Sequence, residues 1–181
     1  MEWFIPGTVL KADRAAAVDQ QFSAMFLGGG IVLSQVTGIT GLEAYTVQNW
    51  VKRGFLSPPE RKHYSLEQLC RIININMLKN VLPMERIVGL LSYINGDLDD
   101  ESDDIIGDSQ LYFMFVRLAA QSRMMNTPQG RDECIAKELA DYREPVPGAK
   151  ERVAKVLTIM LTAWASAQLR LAAEQMLQEL N

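Results

Sequence analysis

The sequence contains one histidine, His63, and two cysteines, Cys70 and Cys134, among its 181 residues. A histidine-based metal cluster or a Ser-His relay would therefore have no second histidine to draw on. The cysteines are far apart and form neither a disulfide framework nor a CxxC metal motif, so a reducing cytoplasm is the expected compartment. We expect no enzymatic activity, no cofactor and no metal site.

We expect no secretory signal, and the sequence has no long uncharged apolar run. It begins Met-Glu-Trp-Phe without a basic region, and the uncharged stretch of the last helical segment, Val156 to Leu169, is shorter than a bilayer span requires. We therefore expect no membrane contact. The glycines Gly28 to Gly30 follow a helical pattern and are not joined to a lysine, so they predict a helix stop and not a phosphate-binding loop.

The formal net charge of −4 conceals a strong local segregation of charge. Between Thr46 and Lys79 there are six lysines and arginines and two acidic residues, whereas Asp97 to Asp108 holds seven acidic residues and no base. A calcium-binding EF-hand loop starting at Asp97 would need glycine where Ser102 stands. The acidic stretch is therefore expected to be a solvated linker.

The segment from Thr46 to Gln68 begins with a helical pattern that stops abruptly. Val47, Trp50 and Val51 have the spacing of an inward-facing apolar stripe, which leaves the polar residues between them on the outside. Gly54 follows and can leave the helix in a left-handed conformation. The pattern predicts a short helix with one polar face.

A basic hairpin and a new helix follow this stop. Pro58 and Pro59 prevent re-entry into the helix, and Arg61-Lys62-His63 forms a compact cationic tip. Ser65-Leu66-Glu67-Gln68 has the capping-box signature of a helix start. A polar helix face and a basic tip are thus expected to lie side by side.

Recognition of DNA requires phosphate contacts from lysine and arginine, and base-edge contacts from groups such as glutamine and asparagine. Both kinds occur on the predicted helix face and hairpin. The candidate DNA-contacting residues are Thr46, Gln48, Asn49, Lys52, Arg53, Arg61, Lys62, His63 and Tyr64. The same polar face could instead dock a protein.

These residues resemble the DNA-binding domain of MerR-type regulators, which implies a winged helix-turn-helix. The matching positions are Thr37-Gly38, Trp50, Lys52-Arg53-Gly54-Phe55-Leu56, Pro58-Pro59 and Tyr64-Ser65. The chain departs from that pattern in a longer turn at Gly41-Leu42-Glu43-Ala44, in Gln48 where arginine is usual, and in a wing without glycine at its tip.

A wider region, roughly residues 15 to 95, is similar to the bacterial family called domain of unknown function 1836. The additional matching positions are Asp19-Gln20 and Lys79-Asn80-Val81-Leu82. This resemblance implies DNA binding only as an expectation.

Helical periodicity extends over most of the chain and predicts an all-α fold with at most one small hairpin. The predicted helices run from Ala12 to Leu27, Ile31 to Thr37, Thr46 to Arg53, Leu66 to Asn80, Pro83 to Ile94, Ser109 to Met125, Pro128 to Tyr142 with Thr127 as cap, and Gly148 to Leu180. We expect a DNA-binding domain with a leading helix over residues 1–96, an acidic linker over 97–108 and a helical domain over 109–181.

The last predicted helix is apolar around more of its circumference than one amphipathic stripe needs. It is expected to be covered on more than one side, in part by a second subunit, which predicts a homodimer. The aromatic residues Tyr112, Phe113, Phe115 and Trp164 could line a pocket for a small-molecule effector of unknown identity or fill the helical core. Cys70 and Cys134 are expected as buried small hydrophobes, with redox sensing as the alternative.

Together these features predict a cytoplasmic, sequence-specific transcriptional regulator that binds double-stranded DNA as a homodimer. The alternative is a protein-interaction module without catalytic activity, in which the winged-helix surface binds an acidic protein partner.

Overall fold

Helix α4 (Leu66–Leu78) is buried around most of its circumference and organises the fold. The computed structural model describes residues 3–96, 98, 103–121 and 127–180. Of the described residues, 64% are helical and 5% are in strands, as expected for a largely α-helical fold. The other α-helices of the described residues are α1 (Val18–Met25), α2 (Leu33–Thr40), α3 (Ala44–Lys52), α5 (Met84–Asn95), α6 (Asp108–Ala119), α7 (Pro128–Glu138) and α8 (Ala149–Gln178).

Four two-residue strands form two small antiparallel ribbons. Strands β1 (Trp3–Phe4) and β2 (Lys11–Ala12) form a local hairpin. Strand β3 (Ile31–Val32) pairs with β4 (His63–Tyr64), which lies beyond two intervening helices. From the sequence we predicted at most one hairpin. The pairing of β3 with β4 was not predicted, because pairing between such short and distant segments leaves no periodic pattern.

The first helix is much shorter than the predicted segment from Ala12 to Leu27. Ala12 belongs to β2, Arg14 is extended with φ −142°, and a 3₁₀ turn precedes α1. Helix α1 places Val18 and Phe22 in the core and ends before the glycines, of which Gly29 has φ 105°. The glycines therefore follow a helix stop, as predicted.

Helix α2 starts at Leu33, two residues later than predicted, because Ile31 and Val32 are paired with β4. It ends at Gly41, whose φ of 69° is left-handed. Helix α3 starts at Ala44, two residues earlier than predicted, so the turn between the helices is confined to residues 41–43.

The predicted start of α4 is confirmed in detail. Ser65 Oγ accepts a hydrogen bond from the Gln68 amide at 3.1 Å, and the Ser65 amide donates to Gln68 Oε1 at 2.9 Å. Gln68 Nε2 also donates to the carbonyl oxygens of Ser57 and Pro58 at 3.0 Å. The helix cap therefore anchors the loop that leads into the basic hairpin.

The C-terminal helices pack on the N-terminal half and share its core. Helix α6 lies along α4, and α8 contacts α4, α5, α6 and α7. Arg71 Nη1 on α4 pairs with Asp108 Oδ2 on α6 at 3.3 Å, and both side chains are buried. Residues 97 and 99–102 of the predicted acidic linker lie outside the described residues. Among the described residues, buried side chains from both stretches, 1–96 and 109–181, fall in one hydrophobic cluster.

Candidate nucleic-acid interface

Most of the DNA-contacting residues that were predicted on a helix lie on the outer face of α3. Val47 and Trp50 are buried, which fixes the rotation of the helix and turns Gln48, Lys52 and Arg53 to solvent. Thr46 and Asn49 are half-buried at the edge of this face. We define the α3 face as Thr46, Gln48, Asn49, Lys52 and Arg53.

Tyr45 lies beside the α3 face and was not among the DNA-contacting residues predicted from the sequence. The residue is 75% exposed. Tyr45, Gln48 and Lys52 follow the spacing i, i+3, i+7 and so form one stripe. The signal was available in the sequence, because the inward positions Val47 and Trp50 already determine which residues face outward.

Arg53 is held in place by two contacts. Its guanidinium lies 4.5 Å from the centroid of the Phe55 ring, and Nη2 lies 3.7 Å from Glu85 Oε1. An exposed ion pair of this kind contributes about 0–1 kcal/mol and can yield to a stronger anion. Stacking on Phe55 leaves the edge of the guanidinium available. Arg53 is therefore held in one orientation and can still contact an external anion.

The basic tip is a tight turn over residues 60–63. The His63 amide donates to the Glu60 carbonyl oxygen at 2.8 Å, which closes the turn. Arg61 and Lys62 occupy its two central positions, with φ values of 47° and 70°. We define the cationic turn as Arg61, Lys62 and His63, all three of which are exposed.

Two left-handed residues in a row are unusual when neither is glycine, asparagine or aspartate. Turns of type I′ require positive φ at both central positions and strongly prefer Asn-Gly or related pairs. For an ordinary L-residue the left-handed conformation costs roughly 1–2 kcal/mol. Arg61 and Lys62 therefore hold two positive charges at a place where the fold alone would favour other residues.

His63 faces solvent, but its ring is already engaged on one side. Nδ1 lies 3.0 Å from the Arg61 carbonyl oxygen, and a carbonyl oxygen can only accept, so Nδ1 carries the proton. The neutral ring then has only an acceptor at Nε2. A contact from His63 to a phosphate oxygen would require the protonated imidazolium.

Tyr64 is the exception among the predicted contact residues. It is only 3% exposed, and its backbone pairs with Ile31. Burial raises the pKa of its phenol. The alternation of β4 turns His63 outward and Tyr64 into the core, so Tyr64 supports the turn from below and does not belong to the exposed surface.

Helix α2 connects the two parts of the candidate interface. It packs against α3 on one side and against β3 and β4 on the other. Within the described part of the chain, Lys52, Arg61 and Lys62 take part in no ion pair. Their charges are therefore available to an external anion.

Cys70 and the central aromatic residues belong to the core. Burial raises the pKa of the Cys70 thiol well above its ordinary value, and the charges of Glu67 and Asp108 raise it further. Such a thiol is a poor nucleophile, which favours the buried hydrophobe over the redox sensor.

The predicted pocket aromatics are packed against other rings. Tyr112 contacts Phe22 at a centroid distance of 5.8 Å, and Phe115 contacts Trp164 at 6.1 Å. Tyr112 Oη donates to the Pro6 carbonyl oxygen at 2.9 Å. Tyr112 and Phe115 belong to the core, and Phe113 and Trp164 pack against it. Among the described residues, no group of three or more histidine, cysteine, aspartate or glutamate side chains is placed to hold a metal ion.

Helix α8 is apolar beyond the part that the core covers. None of its described residues after Ala163 is buried. Ala149–Gln178 is long and apolar enough to cross a bilayer by length and composition, a weak indication because core helices of soluble proteins pass the same test. Leu169, Met176 and Leu180 are 74%, 66% and 82% exposed.

Comparison with known proteins confirms one of the two resemblances. Residues 30–115 match the family described as "Domain of unknown function (DUF1836)", a region that includes the α3 face, the cationic turn and the start of α6. An uncharacterized protein of Bacillus subtilis (strain 168), YkrK, is 31% identical over 86 residues. The match covers 45% of this chain and 37% of the length of that relative. No solved structure matches this chain.

Proposed function

We propose that this protein is a transcriptional regulator that binds double-stranded DNA as a homodimer, with a MerR-like winged helix-turn-helix as its reading unit. The cationic turn carries the proposal. Two unpaired positive charges are presented on a strained left-handed turn, and strain of this kind is typical of functional sites. A phosphate backbone is the polyanion that such a turn suits.

The α3 face adds the groups that base recognition requires. Gln48 and Asn49 have side-chain amides that can pair bidentately with adenine, whereas Lys52 and Arg53 suit phosphate oxygens. In a helix-turn-helix the second helix enters the major groove with its N-terminal residues foremost. The order α2, turn, α3, hairpin fits that arrangement, with α3 as the recognition helix and the cationic turn as the wing.

The exposed part of α8 supports the proposal of a homodimer. Among the exposed residues, a set of seven positions that includes four large apolar side chains is spaced alternately by three and four residues, which is the heptad spacing of a coiled-coil seam. We define this α8 stripe as Ile159, Thr162, Ser166, Leu169, Ala173, Met176 and Leu180. Residues 165–178 extend about 21 Å at 1.5 Å per residue, enough for two heptads.

A second copy suits the α8 stripe better than a bilayer. The opposite faces of the same segment carry Gln168, Arg170, Glu174 and Gln175, and all four are exposed. A lipid-facing helix would need an apolar surface on every side. Burying about 600 Å² of apolar surface would contribute roughly 15 kcal/mol, which is of the order of the 4–15 kcal/mol that association costs. A cytoplasmic location accords with this proposal.

Selection of bound duplexes from a random pool tests the proposal directly. The wild-type protein should enrich one inverted-repeat motif, with half-sites separated by about 34–36 Å along the duplex, because a two-fold dimer presents two α3 helices. Gln48→Ala and Asn49→Ala should relax base preference within each half-site, since each removes an amide able to contact a base edge.

The cationic turn should determine much of the salt dependence. Arg61→Ala with Lys62→Ala should lower affinity for every duplex and reduce the slope of log K against log salt by about 4, because the dimer loses two phosphate contacts in each subunit. Lys137→Ala with Arg143→Ala is a matched control, because both are exposed cations outside the α3 face and the cationic turn. Failure to enrich any motif would reject sequence-specific regulation and favour a protein partner.

A further inference from the structure

A polar cleft lies behind the cationic turn, between the N-terminal half and the start of α6. It has a volume of about 780 Å³ and is open to solvent on one side. Its walls come from the segment after α1, the loop before the turn, β4, the first two turns of α4, the end of α5 and the start of α6. This volume lies within the range of about 300–1,000 Å³ that is typical of small-molecule sites.

The walls of the cleft carry an excess of negative charge. Four carboxylate side chains line the cleft, those of Glu60, Glu67, Asp104 and Asp108. Among the described residues of the lining, Arg71 is the one arginine or lysine, and it is already paired within the protein. Its Nη1 pairs with Asp108 Oδ2 at 3.3 Å, and its Nε donates to the Phe55 carbonyl oxygen at 3.0 Å.

Two buried oxygen atoms of the lining residues lack a hydrogen-bond donor. Asp108 Oδ1 and Asn95 Oδ1 are fully buried and have no partner within the described residues. The Asn74 amide lies near enough to lower the pKa of Asp108, but it makes no hydrogen bond of ordinary geometry to Oδ1. Leaving a buried acceptor unpaired costs about 1–3 kcal/mol, so both positions call for a donor.

Glu67, another carboxylate of the lining, already accepts hydrogen bonds within the protein. Glu67 Oε2 accepts from the Ser109 amide at 2.9 Å, and Oε1 accepts from the Ser109 hydroxyl. Glu67 therefore caps the start of α6 and holds the wall of the cleft in place. Desolvation raises the pKa of Asp108 and Arg71 lowers it, with a net rise, so its negative charge is only partly compensated in the protein alone.

We propose that this cleft binds a small organic cation that carries N–H donors, such as a primary ammonium group. The unpaired oxygens of Asp108 and Asn95 accept its hydrogen bonds, and the surrounding carboxylates balance its charge. Phe26 lines the same cleft and offers apolar surface to the carbon skeleton of the ligand. This proposal does not rest on the proposed DNA-binding function. Binding of the cation is measured without DNA.

Thermal unfolding in the presence of three probes tests the proposal. Cadaverine, which carries two ammonium groups, should raise Tm saturably, by about 4 °C at ten times its Kd in physiological salt. Pentanediol has the same carbon skeleton without charge and should have no effect. Tetramethylammonium has the charge but no N–H donor and should bind at least about tenfold more weakly than cadaverine, because it cannot satisfy the buried acceptors.

Substitutions of residues that line the cleft test whether cadaverine binds there. Asn95→Leu removes one unpaired acceptor without changing the charge and should weaken cadaverine binding about tenfold, the equivalent of one charge-assisted hydrogen bond. Glu60→Gln removes an exposed carboxylate of the wall and should weaken it a few-fold. Glu133→Gln, on α7 outside the cleft, is the matched control and should leave the affinity unchanged.

Each outcome decides between the alternatives. Saturable binding of cadaverine that Asn95→Leu weakens, and Glu133→Gln does not, supports the site. Absence of any response at millimolar cadaverine, an equal response to pentanediol or tetramethylammonium, or an equal loss in Glu133→Gln would overturn it. A failed duplex selection would leave this result untouched, because the two experiments have no component in common except the protein.

Discussion

Lys62 shows how a single backbone conformation can separate stability from function. Its φ of 70° is left-handed, and this conformation is free of steric cost only for glycine. Lys62→Gly should therefore stabilise the protein by about 0.5–1 kcal/mol despite the greater freedom of glycine in the unfolded chain. The same change should weaken DNA binding and lower the salt slope by about 2, one phosphate contact for each subunit of the dimer. Urea unfolding and fluorescence anisotropy measure the two effects.

The opposite signs of these two effects make the prediction specific. Lys62→Ala removes the same charge and keeps the strain, so it should weaken DNA binding equally without raising stability. If Lys62→Gly lost stability, the turn would not be strained in solution. If both variants kept the wild-type salt slope, Lys62 would not contact phosphate.

At the scale of the element, the second half of α8 has an apolar stripe that the core leaves uncovered. Met176→Glu should weaken self-association about a hundredfold or more, because an unpaired carboxylate in the seam of two helices costs about 3 kcal/mol or more. The residue is 66% exposed in the single chain, so the fold of that chain should be retained. Sedimentation velocity over a range of concentrations measures the change.

Gln168→Glu provides the matched control for the α8 stripe. It introduces the same charge on the same exposed segment, but outside the seam positions. The dimer should survive this substitution. A wild-type protein that sediments as a monomer at tens of micromolar, or equal effects of both substitutions, would contradict the assignment of the seam.

At the scale of the whole molecule, the shared core predicts a single cooperative transition. Trp50 on α3 and Trp164 on α8 lie on either side of the acidic stretch and report on the two halves separately. Because α4 packs along α6 and the Arg71–Asp108 pair is buried between them, the halves should unfold together. In a variant that retains only Trp50 and in one that retains only Trp164, the urea midpoint by tryptophan fluorescence should coincide with the midpoint by far-UV circular dichroism of the same variant.

Two separate transitions in that experiment would support independent domains at residues 1–96 and 109–181. A variant that weakens the junction provides a further check. Arg71→Met leaves Asp108 buried without its counter-charge and should cost about 3–5 kcal/mol, and it should lower both midpoints together. A drop confined to one tryptophan probe would be inconsistent with a shared core.

The amino-acid sequence alone determined the helices and several of their boundaries. The capping box at Ser65 and the Thr127 cap were visible because they depend on residues three apart in the chain. The outward face of α3 followed from the buried positions Val47 and Trp50. These features are local, so local periodicity and capping chemistry specify them.

Only the tertiary structure decided the remaining features of the candidate site. The pairing of β3 with β4 turned Tyr64 into the core, shortened α2 at its start and placed Arg61 and Lys62 on a left-handed turn. The cleft beside Asp108 and Asn95 forms where four segments meet. Such features depend on which distant residues come into contact, and a one-dimensional pattern of apolar and polar residues does not encode those partners.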